Sequence, residues 1–166
     1  MRTAIALGAN LGDRLAALRD AREAVLQIDG ISGPAISSPV YETDPIDCAP
    51  GTPSFYNAVL EVDCTLNPVI LLDQLQSIEA AMGRPSKRPR NAPRPIDLDV
   101  LYIGNTVLQN EEIVIPHPRL HLRRFVLEPL AVIAPERILP GLHLPIATLL
   151  ERLDDRAELR LIISTW

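Results

Sequence analysis

Hydrophobic and polar positions alternate or recur with enough regularity to lay out most of the chain. Thr3 to Leu7 is an apolar run ending at the glycine-containing turn Gly8 to Asp13, which predicts a buried first strand followed by a tight turn. Leu15, Leu18, Ala21, Val25 and Ile28 then recur every three or four residues. With Asp13 as N-cap and Asp29-Gly30 as the stop, this predicts a helix. Ile31 to Tyr41 reads as a second strand, made irregular or confined to an edge by Pro34 and Pro39. Phe55 to Asp63 gives the clearest alternation: Tyr56, Ala58, Leu60 and Val62 share one face, Phe55 and Asn57 the other. Asn67-Pro68 opens a helix whose stripe is Leu71, Leu72, Leu75, Ile78 and Met82 and which Gly83 closes. Arg94 to Ile103 is a further strand.

Past that strand the pattern weakens. Gly104-Asn105 predicts a hairpin turn with Thr106 to Leu108 returning, and Ile113 to Arg119 an extended segment. Arg123 to Ala134 reads as a short helix kinked or started at Pro129. Pro145 to Leu153 carries a helical stripe, and Leu161 to Ile163 adds a little strand, with no chemistry apparent in the last stretch. Up to Ile103 the order strand, helix, strand, strand, helix, strand is the split βαβ arrangement. It predicts an α+β sandwich of ferredoxin-like type, one domain over residues 1–166, with helices on one face of an antiparallel sheet and the other face open for a ligand.

The chemistry concentrates around Asp97 and Asp99. Two residues apart on a strand, they emerge on one face, and like charges this close raise each other's pKa unless a cation lies between them. They read either as a strand-end pair, one meeting water and the other capping a turn, or as ligands of magnesium, which takes one or two carboxylates and completes its octahedron with phosphate and water. The preceding stretch from Arg84 to Arg94 holds five cations, three prolines and no acid. Guanidinium groups suit phosphate oxygens, so carboxylates beside arginines make the layout that a metal-nucleotide needs.

Other candidates keep two readings at this level. Gln76 and Glu79, three apart on the second helix, are either solvent-facing polarity or site residues. His117, fixed between Pro116 and Pro118, is either structural or a phosphate donor. Phe125 is either core or a ligand wall. The loop from Thr43 to Ser54 is long and rich in turn residues, as functional loops are.

Composition adds limits. A length of 166 residues with 47% hydrophobic and 22% charged residues is that of an ordinary globular domain. A net charge of −5 argues against nucleic acid or an anionic membrane as the main partner. The start of the chain does not resemble a signal peptide and no apolar run approaches spanning length, so the expectation is a cytoplasmic protein and a monomer. Cys48 and Cys64 lack metal-ligand spacing and read as ordinary reduced thiols.

Several blocks together resemble a known family. Gly8-x-Asn10-Leu11-Gly12-Asp13, Thr43-x-Pro45, Phe55-Tyr56-Asn57, Glu79 with Gly83-Arg84, Pro93-Arg94-x-Ile96-Asp97-Leu98-Asp99, Pro116-His117-Pro118-Arg119 and Arg123 to Leu127 are similar, in order, to the 6-hydroxymethyl-7,8-dihydropterin pyrophosphokinases of folate biosynthesis. That resemblance implies transfer of pyrophosphate from ATP to the pterin hydroxymethyl group with release of AMP. It also implies two Mg²⁺ ions held by Asp97 and Asp99, with Arg84, Arg94 and Arg123 near the ATP phosphates and Gln76, Glu79 and His117 in the nucleotide pocket. Phe55 and Phe125 would stack on the pterin, and Asn57 with Thr43, Pro45 and Ile46 would bind its edge. Many members carry Trp-Gly where this chain has Asn91-Ala92, and some an arginine at the position of Ser86. These departures bear on how the basic loop closes, hence on turnover rather than reaction type. The competing readings are a ferredoxin-like module that senses a nucleotide or metal without chemistry, and another magnesium-nucleotide transferase.

Overall fold

The computed structural model describes residues 1–45, 50–85, 92–155 and 157–166. Ile46, Cys48, Ser86 and Asn91, which the sequence singled out, lie outside them. The first half follows the expected order: β1 (Arg2–Ala9), α1 (Arg14–Leu26), β2 (Ile31–Ser37), β3 (Val40–Thr43), β4 (Phe55–Cys64), α2 (Pro68–Ala81) and β5 (Asp97–Ile103). The Asp13 carboxylate caps α1 by accepting the Ala16 N–H at 3.0 Å, and the Asn67 side chain caps α2 through the Val69 N–H, also 3.0 Å.

Five of the strands line up as β5-β1-β4-β3-β8, with β8 (Leu159–Ile163) at one edge and β2 pairing β4 off that path, all antiparallel. This is the ferredoxin-like order, with β1 in the middle between the partner strands that carry Asn57 and the acid pair. The predicted second strand is two strands, because the chain bends at Ser38-Pro39. There the Ser38 N–H donates to the Val59 carbonyl at 2.8 Å while its Oγ accepts the Val59 N–H at 2.9 Å. β2 runs along one end of β4, and β3 runs along the other end, inside the sheet between β4 and β8.

Two cores result. On one face Ile5, Leu7, Leu60, Val62, Leu98 and Val100 pack against Leu18, Val25, Leu71 and Leu75 of α1 and α2. The other face is only partly open, which corrects the expectation of a bare surface. Here α3 (Arg124–Ile133) and α4 (Ile146–Arg152) bury Val126, Leu127, Leu130 and Ile146 against Ala4, Val59, Leu101 and Tyr102. Each such side chain removed from water contributes roughly 1.5–3 kcal/mol, so leaving this apolar stripe of α3 in solvent would be far costlier than covering half a sheet with it. Pro129 neither starts nor ends α3 but sits buried inside it. The hairpin expected after Gly104 lies further on: β6 (Leu108–Gln109) pairs with β7 (Val114–Ile115) in a separate two-stranded sheet instead of folding back on β5.

Candidate active site

The uncovered part of the second face is a cavity of about 420 Å³. Its floor is β1, where Ala6 and Gly8 present almost no side chain; a Cβ at Gly8 would stand 3.5 Å from Asn57 Oδ1 and 3.9 Å from Asp97 Cβ. Gly8 pairs with Asn57 on one side and with Asp97 on the other, so the register of β1 alone sets the aromatic and acidic strands on opposite sides of a shallow trough. Phe55, Asn57 and Thr43 form one wall, Asp97 and Asp99 the other. The roof is the start of α3, with Arg123, Phe125 and Val126, joined by His117 and Arg119. Strand alternation assigned these faces correctly: Leu98 and Val100 point into the α1/α2 core while the acids between and before them do not.

At the acidic end the charges are tightly paired. Asp97 receives the Arg84 guanidinium on one oxygen and the Arg94 guanidinium on the other, each at 2.6 Å. Arg84 also pairs with Glu79, whose Oε1 accepts the Leu98 N–H at 2.6 Å. Burial pushes the Glu79 pKa up to about 7 against the pull of that N–H and of Arg84, with the charge of Asp97 adding to the rise. Asp99 is raised as well, first by burial and then by the Asp97 charge. Asn10 ties this end to the sheet: its side-chain oxygen accepts the Arg94 N–H at 2.7 Å, its amide donates to the Pro53 carbonyl at 3.3 Å, and its own N–H donates to the Arg94 carbonyl at 3.2 Å. Arg94 is thereby held over the Phe55 ring, 5.1 Å from its centroid, and its Nε is buried without a hydrogen-bond partner among the described residues.

The donor set fits magnesium bound together with a phosphate ligand. No group of three or more His, Cys, Asp or Glu side chains that could hold a metal ion occurs among the described residues. The protein thus offers two carboxylates, the number magnesium takes when phosphates and water supply the other oxygens. Two buried or half-buried acids on one strand face, with one raised by the other, also make a local excess of negative charge that a cation relieves.

His117 reaches the cavity because its N–H donates to the Leu101 carbonyl at 2.8 Å, which lays this segment along β5. Its Nδ1 accepts the Arg119 N–H at 3.2 Å, so in the neutral ring the proton is on Nε2. Burial, then Arg123 and Arg119, push its pKa down from the ordinary 6.5 to about 4. The unfolded chain therefore takes up a proton below about 6.5 that the folded protein refuses until about 4, and stability falls as pH drops through that window. Between pH 7.5 and 5, thermal melts should show wild type losing more Tm than His117→Gln; equal losses would mean that His117 is not held neutral. Arg123 is itself lowered, first by burial and then by Arg119, and lies over Phe125 at 5.4 Å.

Most sequence candidates meet here: Thr43, Phe55, Asn57, Arg94, Asp97 and Asp99, and across from them His117, Arg123 and Phe125, all line the cavity. Asn57 Nδ2 donates to Thr43 Oγ1 at 2.7 Å, orienting both. Arg84 and Glu79 stand one step behind through Asp97 and Leu98. Gln76 is on the exposed side of α2, and neither it nor Pro45 lines the cavity. Arg119, Leu122 and Asp155 line it without having been picked out. Arg119 had a signal in the Pro-His-Pro-Arg run, whereas Asp155 comes from a tail with no motif.

An acid pair matched to cations stands at one end of the trough and two rings with a polar edge at the other. The model of the 7,8-dihydro-6-hydroxymethylpterin-pyrophosphokinase (HPPK) family matches residues 4–135. The chain is 37% identical over 157 residues to the Haemophilus influenzae 2-amino-4-hydroxy-6-hydroxymethyldihydropteridine pyrophosphokinase, covering 95% of this chain and 96% of that one. It is 40% identical over 129 residues to the Bacillus subtilis protein of the same name, 78% of this chain and 75% of that one. To the folic acid synthesis protein fol1 of Pneumocystis carinii it is 40% identical over 151 residues, 91% of this chain but only 20% of that longer protein. Among solved structures, wild-type Plasmodium falciparum HPPK-DHPS with pteroate shares the fold at TM-score 0.69 and 16% identity, over 91% of this chain and 42% of the other. The chain belongs to the 7,8-dihydro-6-hydroxymethylpterin-pyrophosphokinase family.

Among the described residues no helix is long and apolar enough to cross a membrane.

Proposed function

We propose that this chain, as one domain over residues 1–166, transfers the pyrophosphoryl group of ATP to the hydroxymethyl group of 6-hydroxymethyl-7,8-dihydropterin and releases AMP, a step of folate biosynthesis. The observation that carries this reading is the single trough with Asp97, Asp99 and three arginines at one end and Phe55, Asn57 and Phe125 at the other. The substrate hydroxyl oxygen bonds to the β-phosphorus, the bond from that phosphorus to the oxygen bridging it to the α-phosphate breaks, and AMP departs with that electron pair. Positioning and charge neutralisation supply most of the catalysis in such transfers.

Asp97 and Asp99 would hold two Mg²⁺ ions. Bound there, they would neutralise the triphosphate and lower the pKa of the pterin hydroxyl, whose proton passes to solvent water with no side chain assigned as general base. Arg84 and Arg94, which now occupy both oxygens of Asp97, exchange that carboxylate for phosphate oxygens of ATP when nucleotide arrives. Arg123 supplies a further guanidinium from the roof, and His117 donates its Nε2 proton to the nucleotide across the pH range in which it stays neutral. Glu79 and Gln76 support the nucleotide end from α2.

At the other end Phe55 and Phe125 take the two faces of the pterin. Asn57, braced by Thr43, reads its edge. The protein would work in the cytoplasm as a monomer, with no nucleic acid or membrane partner.

A nucleotide- or metal-sensing module is the other class of function for this fold, and retention of both acids with the aromatic pair disfavours it. Incubation with ATP, magnesium and the reduced hydroxymethylpterin should yield AMP and pterin pyrophosphate in equal amounts. ADP as product, or AMP formed independently of pterin, would overturn the proposal.

A further inference from the structure

α3 carries two of the residues that face the trough, Arg123 at its N-cap and Phe125 in its first turn, yet it has no side-chain cap of its own. The first N–H groups of a helix lack partners within it, so the helix start is loose unless something outside accepts from them. That acceptor comes from the end of the chain. Asp155 Oδ2 accepts the Arg124 N–H at 3.0 Å, its Oδ1 accepts the Ala157 N–H at 2.9 Å, and its carbonyl receives the Arg124 guanidinium at 3.4 Å. Arg124 is further steadied by Glu128 one turn on, at 2.8 Å. Asp155 also lines the trough itself.

The strand beyond Asp155 reaches the opposite wall. β8 pairs with β3, setting Leu159 opposite Thr43, and Thr43 is the residue that braces Asn57. The tail thus runs from the start of the roof to the strand that holds the polar edge of the opposite wall. Its carboxylate is the point at which it grips the roof. Asp155 and β8 themselves lie beyond residues 4–135, to which the family match extends.

We propose that Asp155 is a positioning residue of the site. By accepting the Arg124 N–H it fixes the start of α3, and with it the heights of Phe125 and Arg123 above the trough, while the strand beyond it holds the facing wall. The proposal deepens the pyrophosphokinase reading and rests on it for its kinetic consequence. It is distinct from that reading in its structural claim, which concerns the ligand-free protein. A cap that contributed only to stability would lower Tm without separating the two substrates, whereas loosening the Phe125 wall acts on the pterin first.

Three variants separate these roles: Asp155→Ala, Asp155→Asn, whose amide oxygen still accepts the Arg124 N–H while its NH2 replaces the oxygen that accepts the Ala157 N–H, and Val25→Ala, which removes buried volume from the α1 core on the other sheet face. Hydrogen exchange of the ligand-free proteins is measured first. Asp155→Ala should speed exchange of the amides of residues 124–127 by about tenfold, the scale of a lost cap, with Asp155→Asn near wild type and Val25→Ala unchanged there. Steady-state kinetics come second. Asp155→Ala should raise KM for the hydroxymethylpterin about tenfold and KM for ATP less than about threefold, with Asp155→Asn recovering most of the loss. Unchanged exchange at 124–127 in Asp155→Ala, or the same pterin KM shift in Val25→Ala, would overturn the proposal. Wild-type protein that makes no pterin-dependent AMP would instead sink the functional reading and leave the exchange result to decide the role of Asp155.

Discussion

Asp99→Asn should cut turnover by about 10³-fold, roughly 4 kcal/mol of transition-state stabilisation, while leaving Tm at neutral pH unchanged or higher. The activity loss is expected if Asp99 is half of the carboxylate pair on which magnesium and triphosphate assemble. An amide has one oxygen without the charge and cannot neutralise the ion. The stability result comes from the ligand-free structure: Asp99 is half-buried and stands two residues from Asp97, and its pKa is raised by desolvation and by that neighbour. A carboxyl group with a raised folded pKa is most favourable below its unfolded value and costs stability as pH rises through the folded one. At neutral pH the substitution therefore removes an unfavourable charge. Asp97→Asn should lower turnover as far but also lower stability by about 2 kcal/mol, and Tm with it, through lost pairing with Arg84 and Arg94, since these partly buried contacts are only partly screened. Turnover by rapid-quench assay and melting curves for both variants check the pair. Near-normal rates in either would reject the metal assignment, and equal destabilisation of both would mean that the two acids have the same surroundings.

How far this site was legible depends on which physical signal carried each part. Period-two alternation is a property of the backbone itself, so β4 and β5 disclosed from sequence which side chains face the trough: Phe55 and Asn57 on one strand, Asp97 and Asp99 on the other. Their convergence required only that β1 lie between them, and the split βαβ order supplies that. The cover on the second face was not legible, because the apolar stripe of α3 states that it will be buried but not against what. Pro129 argued for a kink or a helix start where α3 runs through it; tertiary burial of Leu127 and Leu130 on either side outweighs the roughly 3 kcal/mol that an interior proline costs.

The pairings of Arg84 and Arg94 with Asp97 were hidden for a different reason. A basic loop beside an acid pair fixes adjacency, whereas which guanidinium takes which oxygen depends on Asn10, whose three hydrogen bonds pin the backbone at Arg94 and Pro53. An asparagine in a glycine-rich turn reads as turn chemistry, so its longer reach is invisible in one dimension. Asp155 is the extreme case: one acid beside Glu151, Asp154 and Glu158 in a tail without a motif, brought back to the roof by contacts 31 positions away in sequence.

Phe125→Ala should weaken pterin binding by about 10- to 100-fold while changing ATP binding by less than about threefold. The ring is half-buried at the edge of the second core, lines the trough, and lies under the Arg123 guanidinium at 5.4 Å. Phe55 repeats that arrangement from the sheet, under Arg94 at 5.1 Å. Each ring thus has one face against a cation, and a flat heterocycle entering between them meets two aromatic surfaces whose stacking is of the order of 1–3 kcal/mol apiece, the scale seen for bases on aromatic side chains. ATP is held through charge at the far end, by groups to which Phe125 contributes nothing directly, so its affinity is largely spared. Calorimetric titration of each ligand separately into wild type and variant reads the difference, with a nonhydrolysable nucleotide in place of ATP. If both affinities fell by the same factor, Phe125 would be a core residue whose loss loosens the whole roof. If the pterin alone fell, and Phe55→Ala reproduced it, the two rings would be the clamp that selects the heterocycle, leaving the acid pair to select the polyphosphate.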